Sequence, residues 1–263
     1  MDDITISEFN NNLKVYYTDQ KICLPQAYNK KVKSYWESLL KSGRKFFNGD
    51  VFTIYNIKVN NGIINIFVCL TDYAHFLYTI HKNTYENNDC RVIHTSVLIE
   101  TIDNKFAIGE MNKDTAFPFK LQFIGGGIDK GDIKGTTLDL EHNIKKEIFE
   151  ELGIEIQNKS IVKSLNPCYL KSGGKRDFLS AVFKLDLLID EDELKEILNK
   201  HNENLALKNE MQEIRSLVFL NTDRQTVKQF ISENKREKDE NLIPTLEAAV
   251  GIRQVSGIKY QNF

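Results

Sequence analysis

The sequence predicts a mixed α/β fold, and three observations carry that expectation. Runs such as "VFTIYNIKV" and "VIHTSVLIE" are rich in β-branched and aromatic residues and read as strands. They are interleaved with segments such as "NKKVKSYWESLLKSG" and "DEDELKEILNKH", whose apolar residues recur at helical spacing. With 41% hydrophobic and 27% charged residues, a chain of 263 can bury a core as one large or two modest domains.

In the first helix Val32, Tyr35 or Trp36, Leu39 and Leu40 share a stripe that Gly43 ends. The runs "VFTIYNIKV" and "IINIFVCL", separated by "NNG", predict a hairpin that begins a sheet. A short helix over "LTDYAHFLYTIHK" follows, capped by Thr71 or Asp72. The polar "TYENNDCR" marks a boundary, giving an N-terminal α/β extension over residues 1–88 and a second domain over 89–263. Next come a hairpin of "VIHTSVLIE" and "KFAIGE" across "TIDN", and a strand "FKLQFIGGG" running into glycines. A helix from Asn143 to Leu152 carries Ile144, Ile148 and Leu152 on one stripe, with Gly153 as its stop. Beyond it, "IEIQNKSIVKSL", "DFLSAVFKLDLL" and "IRSLVFL" read as strands, and "DEDELKEILNKH", "TDRQTVKQFISEN" and "NLIPTLEAAVGIRQV" as helices. The charged "ENKREKDEN" reads as a solvated loop.

A formal net charge of -2 argues against nucleic acid as a partner and leaves small or acidic ligands open. No run reaches the roughly 20 apolar residues that span a bilayer, and "MDDITISEFNNN" lacks the marks of a signal peptide, so the expected location is cytoplasmic. Cys23, Cys69, Cys90 and Cys168 stand far apart and read as reduced thiols, Cys69 within a strand. The histidines have no metal-ligand spacing.

The chemistry concentrates in "GGGIDKGDIKGTTLDLEHNIKKEIFEELGI", residues 125–154. Glu147, Glu150 and Glu151 fall at i, i+3 and i+4, which puts three carboxylates on one helix face. Their repulsion calls for a counter-charge, and Mg²⁺, or Mn²⁺, suits hard oxygen ligands. Gly125, Gly126 and Gly127 permit close backbone approach, so that N–H groups can come near phosphate oxygens. Metal beside such a loop is equipment for hydrolysing a phosphoanhydride. The alternative is a solvated acidic face beside an ordinary turn.

This stretch resembles the Nudix box, a glycine, five residues, a glutamate, seven residues and then Arg-Glu-apolar-x-Glu-Glu-x-Gly-apolar. "KEIFEELGI", Lys146 to Ile154, matches the second half in all but its first position, and Gly126 followed by five residues and Asp132 is similar to the first half. Lys146 stands for the usual arginine, keeping a salt bridge but not a planar fork. Thirteen residues rather than seven separate Asp132 from Lys146, which leaves Asp139 and Glu141 as alternatives for the place Asp132 would take. "YWESLLKSGRKFFNGDVFTIYNIKV", "VCLTDYAHFLYT" and "PTLEAAVGIRQV" are similar to the branch that cleaves UDP-glucose and UDP-galactose.

The resemblance implies a Nudix-type α/β/α sandwich with a mixed sheet beside the N-terminal extension. It implies a Mg²⁺-dependent pyrophosphatase that cleaves a small-molecule nucleotide substrate, a nucleoside-diphosphate sugar, to a nucleoside monophosphate and a sugar 1-phosphate. Alternatives are another nucleoside diphosphate linked to a second moiety, as in ADP-ribose, or a catalytically silent nucleotide-binding domain. The implied metal ligands are Glu147, Glu150 and Glu151, with Lys146 as an orienting cation. Glu213, a carboxylate just before a late strand, is a candidate general base with Glu210 as its rival. Lys175 and Arg176 in "KSGGKRDF" are placed to meet a diphosphate, the alternative being a solvated basic hairpin. Of Tyr73, His75, Phe76 and Tyr78, any can stack a base, although core packing competes for Phe76 and Leu77.

Overall fold

A computed structural model describes residues 4–10, 12–43, 46–82, 86–115 and 117–256. Two strands, β1 (Thr5–Glu8) and β2 (Leu13–Lys21), precede helix α1 (Gln26–Lys41). The hairpin β3 (Asp50–Asn60) and β4 (Ile63–Asp72) turns at Asn61-Gly62, both at positive φ, as the "NNG" sequence demands. Helix α2 (Tyr73–His81) is capped by Asp72, which accepts the His75 N–H. Then come β5 (Ile93–Glu100), β6 (Lys105–Met111), β7 (Leu121–Gln122), β8 (Ile133–Lys134), β9 (Thr137–Leu138) and α3 (Leu140–Leu152). The chain continues through β10 (Val162–Ser172), β11 (Leu179–Leu187), α4 (Glu191–Leu207), β12 (Ile214–Asn221), α5 (Arg224–Glu233) and α6 (Leu242–Ala249).

These elements make a mixed α/β fold with two sheets. The larger runs β1-β10-β11-β5-β6-β12, with β7 also paired to β6 and only β11 and β5 parallel. The smaller runs β3-β4-β2-β9-β8, with β2 and β4 parallel. The sheets exchange strands: β1 joins the larger sheet, and the β8–β9 hairpin joins the smaller.

Period-two alternation sorts side chains to the two faces of the larger sheet. Val97, Ile99, Ala181 and Phe183 face a core completed by Ile144, Ile148 and Leu152 of α3, Leu194 and Leu198 of α4, and the smaller sheet. Leu98, Phe106, Ile108 and Val182 face a second core closed by Val227 and Phe230 of α5 and Leu242 and Leu246 of α6. Each fully buried aliphatic side chain contributes about 1.5–3 kcal/mol, so the α3 stripe holds that helix firmly on the sheet. Gly153 ends α3 in the left-handed region, where a Cβ would meet the His201 ring at 2.7 Å.

Several sequence expectations change. The two N-terminal strands lack a recognisable run because each has one half-exposed or polar face, and pairing with β10 and β4 defines them. "IEIQNKS" is turn rather than strand, since β10 begins at Val162 and runs on through Pro167 to Ser172. Pro167 is tolerated beside a register shift. The expected strand into the glycines keeps only a two-residue ladder and isolated bridges at Ile124 and Gly127. The sixth helix stops at Ala249. Within "TYENNDCR", Thr84 and Tyr85 lie outside the described residues, while Asp89 and Cys90 are buried. Among the described residues no helix is long and apolar enough to cross a membrane, and the cysteines are free thiols.

Candidate functional site

The thirteen-residue spacing is accommodated by the β8–β9 hairpin, which leaves toward the smaller sheet and returns the chain to α3. Asp132 therefore stays at the helix despite the insertion. Its side chain is buried, with Oδ2 accepting from Asn143 Nδ2 at 2.9 Å and from the Asp129 N–H at 2.9 Å. Oδ1 is buried with no partner. The alternatives sit elsewhere: Asp139 caps α3 at His142 N–H, and Glu141 is exposed and paired with Lys145.

Lys146 anchors this acidic corner. Its Nζ lies 2.9 Å from Asp129, 3.5 Å from Asp132 and 3.9 Å from Glu147, so the short carboxylates hold it more closely than the glutamate of the helix does. A point charge can face three directions at once, whereas a guanidinium fork would favour one.

Glu147 lies against Gly126, where a Cβ would stand 2.5 Å from its Oε2. Glu151 is buried and accepts the Gly125 N–H at 2.9 Å. Gly125 has φ of +141° and touches the Thr95 carbonyl so closely that a Cβ would come within 2.3 Å of it. The glycines thus let a strand pass between β5 and the carboxylates of α3, and the Gly125 N–H serves Glu151.

Burial pushes the Glu147 carboxyl up to about 7, opposed by Lys146 and reinforced by Glu150, Glu213 and Asp132. Burial drives Glu151 well above the usual carboxylate range, against the Gly125 hydrogen bond and with repulsion from Glu213, Glu147 and Glu150. Glu213 is raised by partial desolvation and by Glu150, although its side chain remains open to solvent. Glu150 itself is exposed. The four glutamates therefore share one electrostatic neighbourhood, which sequence separation hides for Glu213. Glu210 is exposed and does not figure among the charges acting on them.

On the opposite face of the larger sheet lies a cleft of about 820 Å³. Tyr73, Gly125, Gly126, Gly127, Lys175 and Arg176 all line it, bringing together the candidate substrate-binding residues from three separate segments. Tyr73 stacks on Phe76 (centroids 5.8 Å apart), and Phe76 stacks on Phe178 (5.9 Å). Phe76 therefore joins the cleft while Leu77 is core. His75 is fully buried against Thr71 and the Asn88 carbonyl, and Tyr78 packs on Tyr28 and Tyr35, so neither reaches the cleft.

The cleft also recruits residues without a local sequence signal. His94, Lys120, Lys171, Asp239 and Glu240 line it, from β5, the β6–β7 loop, β10 and the segment before α6. That last segment, expected to be solvated, forms a wall because Asp239 pairs with Lys120 at 3.2 Å and Glu240 with buried Lys171 at 3.1 Å. Alternation along β10 would have placed Lys171 on a buried face, but nothing local named its partner.

No protein-family model and no curated protein matches the chain. Solved structures with a similar trace include a NUDIX hydrolase from Nitrosomonas europaea, 12% identical, covering 65% of this chain and 97% of that one, with a TM-score of 0.37. A NUDIX-family hydrolase from Clostridium perfringens is 15% identical over 62% of this chain and 97% of its own, with a TM-score of 0.36. A pyrophosphohydrolase from Bacillus subtilis is 15% identical over 65% and 88%, with a TM-score of 0.36. Likenesses this low assign no role to any residue here.

Proposed function

We propose that this chain is a divalent-cation-dependent phosphoanhydride hydrolase acting on a nucleoside-diphosphate sugar of the UDP-glucose or UDP-galactose type. One observation carries the reading: Glu147, half-buried, and Glu151, buried, crowd their carboxylates against the same glycine strand that lines a large cleft with aromatic and cationic walls. In donor chemistry the residues fit Mg²⁺ or Mn²⁺, being carboxylate oxygens whose burial and mutual repulsion a cation would relieve. Glu147, Glu150 and Glu151 would hold it. Among the described residues no three ligating side chains are grouped to enclose a metal, so this reading asks one or two of these glutamates to meet the ion directly and phosphate oxygens and water to complete its shell.

The cation, when bound, would neutralise phosphate oxygens and acidify a water. The chain's own residues do the rest. Glu151 holds the glycine strand through the Gly125 N–H, and Lys146 fixes the corner beside Glu147. Glu213, its carboxyl raised by desolvation and by Glu150, is the proton acceptor. Tyr73 and Phe76 offer a face to a base, and half-buried walls limit water around the diphosphate.

The lack of a tight three-ligand group and the engagement of Glu151 by Gly125 favour a second reading, a nucleotide-binding domain without turnover. The test is incubation of purified protein with Mg²⁺ or Mn²⁺ and a panel of nucleotide sugars, ADP-ribose, dinucleotides and capped RNA. The expected products are a nucleoside monophosphate and a sugar 1-phosphate, lost in excess EDTA. Undiminished turnover in EDTA would remove the metal, and nucleotide binding without turnover of any compound would leave the binding domain.

A further inference from the structure

The cleft has two ends, one at the glycines that touch Glu147 and Glu151 and the other at Lys171, Lys175 and Arg176. Across the larger sheet Lys171 pairs with Ser180, Ser180 with His94, and His94 with Gly127, one row on a single face of which Lys171, His94 and Gly127 line the cleft. Three strand spacings of about 4.8 Å put Lys171 roughly 14 Å from the glycine strand. Helix α2 supplies a second ruler. Its start follows Asp72, whose strand partner Asp50 holds Lys130, just past the glycines, at 2.6 Å. From Tyr73 to Ile80 the helix rises roughly 10 Å, and at Ile80 the main-chain carbonyl accepts from Arg176 Nη2. Arg176 is therefore tied to the last turn of α2, beside the Lys171 end of the cleft.

The charge at that end is unbalanced. Of the cleft-lining cations, Lys82 is paired with Asp89 and Glu86, Lys120 with Asp239, and Lys171 with Glu240. Lys238 is held by main-chain carbonyls. Among the described residues, the Lys175 ammonium and the Arg176 guanidinium form no ion pair with a carboxylate, and the Arg176 Nε is buried with no partner at all. Glu237, the lining acid without a cation, stands on the opposite wall, where its carbonyl accepts the Leu121 N–H.

The loop carrying the two cations is rigidly built. Glu240 grips it twice, through Lys171 Nζ at 3.1 Å and the Lys175 N–H at 2.8 Å. Lys171 also donates to the Gly173 and Phe178 carbonyls. Gly174, at φ of +88°, packs so tightly on the Glu240 carboxylate that a Cβ would stand 2.5 Å from it. Asp177 accepts the Gly173 N–H at 3.0 Å and pairs with Arg91 at 2.5 Å. A loop held by two ion pairs, presenting two adjacent unpaired cations beside the Phe76–Phe178 stack, is a preorganised oxyanion site.

We infer that Lys175 and Arg176 form a second oxyanion subsite, distinct from the diphosphate position, which recognises a phosphate or carboxylate on the remote part of the substrate. The preferred substrate is then a nucleoside diphosphate linked to an acidic moiety, in place of a neutral hexose. This replaces the neutral hexose of the proposed substrate and rests on the hydrolase reading for the location of the diphosphate.

The test uses three ligands that differ at one position: UDP-glucose, UDP-glucuronate and the synthetic UDP-glucose 6-phosphate. Turnover with Mg²⁺ and binding by calorimetry are both measured, with a thermal melt to check folding of each variant. The wild-type protein should prefer an acidic ligand by about tenfold or more, and the two acidic compounds separate carboxylate from phosphate recognition. Arg176→Gln and Lys175→Gln should each bring the preference toward unity, while Arg176→Lys should retain most of it. If Arg176→Gln fails to fold, Lys175→Gln and Arg176→Lys read the same preference. Tighter, Arg176-dependent binding of an acidic ligand without turnover would sink the hydrolase reading and leave the subsite standing. Hydrolysis with no preference for charge, a preference unaltered by the substitutions, or no binding of either acidic ligand would overturn the subsite.

Discussion

The carboxylate of Glu147 occupies the space that a side chain at Gly126 would need: a Cβ there would stand 2.5 Å from Oε2 and 2.8 Å from Oε1. The absent side chain and the present one make a single feature. Gly126→Ala should leave the fold intact, because the end of a flexible glutamate can swing away, with a stability loss of about 1 kcal/mol. It should still lower kcat about tenfold or more by displacing Glu147. Gly125→Ala differs, since its Cβ would strike the Thr95 carbonyl at 2.3 Å from a backbone at φ of +141°. A loss of about 2–4 kcal/mol is expected there. Melting curves of both proteins check the contrast, and equal destabilisation would contradict it.

Glu151 is buried among like charges with the Gly125 N–H as its hydrogen-bond donor. Glu151→Gln keeps an oxygen for that donor and removes the buried charge. Turnover should fall at least about a hundredfold while the melting temperature holds or rises, the pattern of a site that trades stability for activity. A large drop in melting temperature would show that the charge itself supports the fold.

Lys146 is the nearest cation to the buried carboxylate of Asp132, at 3.5 Å. Lys146→Ala should therefore destabilise by about 1–3 kcal/mol, discounted from a fully buried pair because Lys146 is partly exposed, and lower kcat roughly tenfold. Lys146→Arg should keep both, since a guanidinium can reach Asp129 or Glu147. Chemical denaturation and steady-state kinetics of the two variants decide it, and indistinguishable behaviour of Ala and Arg would deny the position any role.

His94 faces Asp239, Lys171, Glu240 and Lys120, and burial holds its imidazole down, from the ordinary 6.5 to about 4, against the pull of Asp239. The fold thus favours the neutral ring. That contribution is fully present above pH 6.5 and is lost as pH falls from 6.5 to about 4, by at most about 3 kcal/mol. His94→Gln should flatten the stability profile across this window, measured by urea unfolding at several pH values. A wild-type slope that survives the substitution would assign the acid sensitivity to another group.

Local pattern along the chain accounts for most of the elements and for the carboxylate face. Period 3.6 in Ile144, Ile148 and Leu152 placed α3, and the i, i+3, i+4 spacing put Glu147, Glu150 and Glu151 together because both are local properties of a helix. The Asn61-Gly62 turn fixed the β3–β4 register for the same reason. Tertiary structure decided what those pieces meet. Only the pairing of β8 and β9 with β2 explains how Asp132 stays at α3 across an insertion. Only strand order sets Lys171, Ser180, His94 and Gly127 in one row, and only the meeting of Glu240 with Lys171 turns a charged segment into a cleft wall. Such contacts join residues far apart in the chain, and an isolated lysine or glutamate carries no local pattern that says which partner will replace its water.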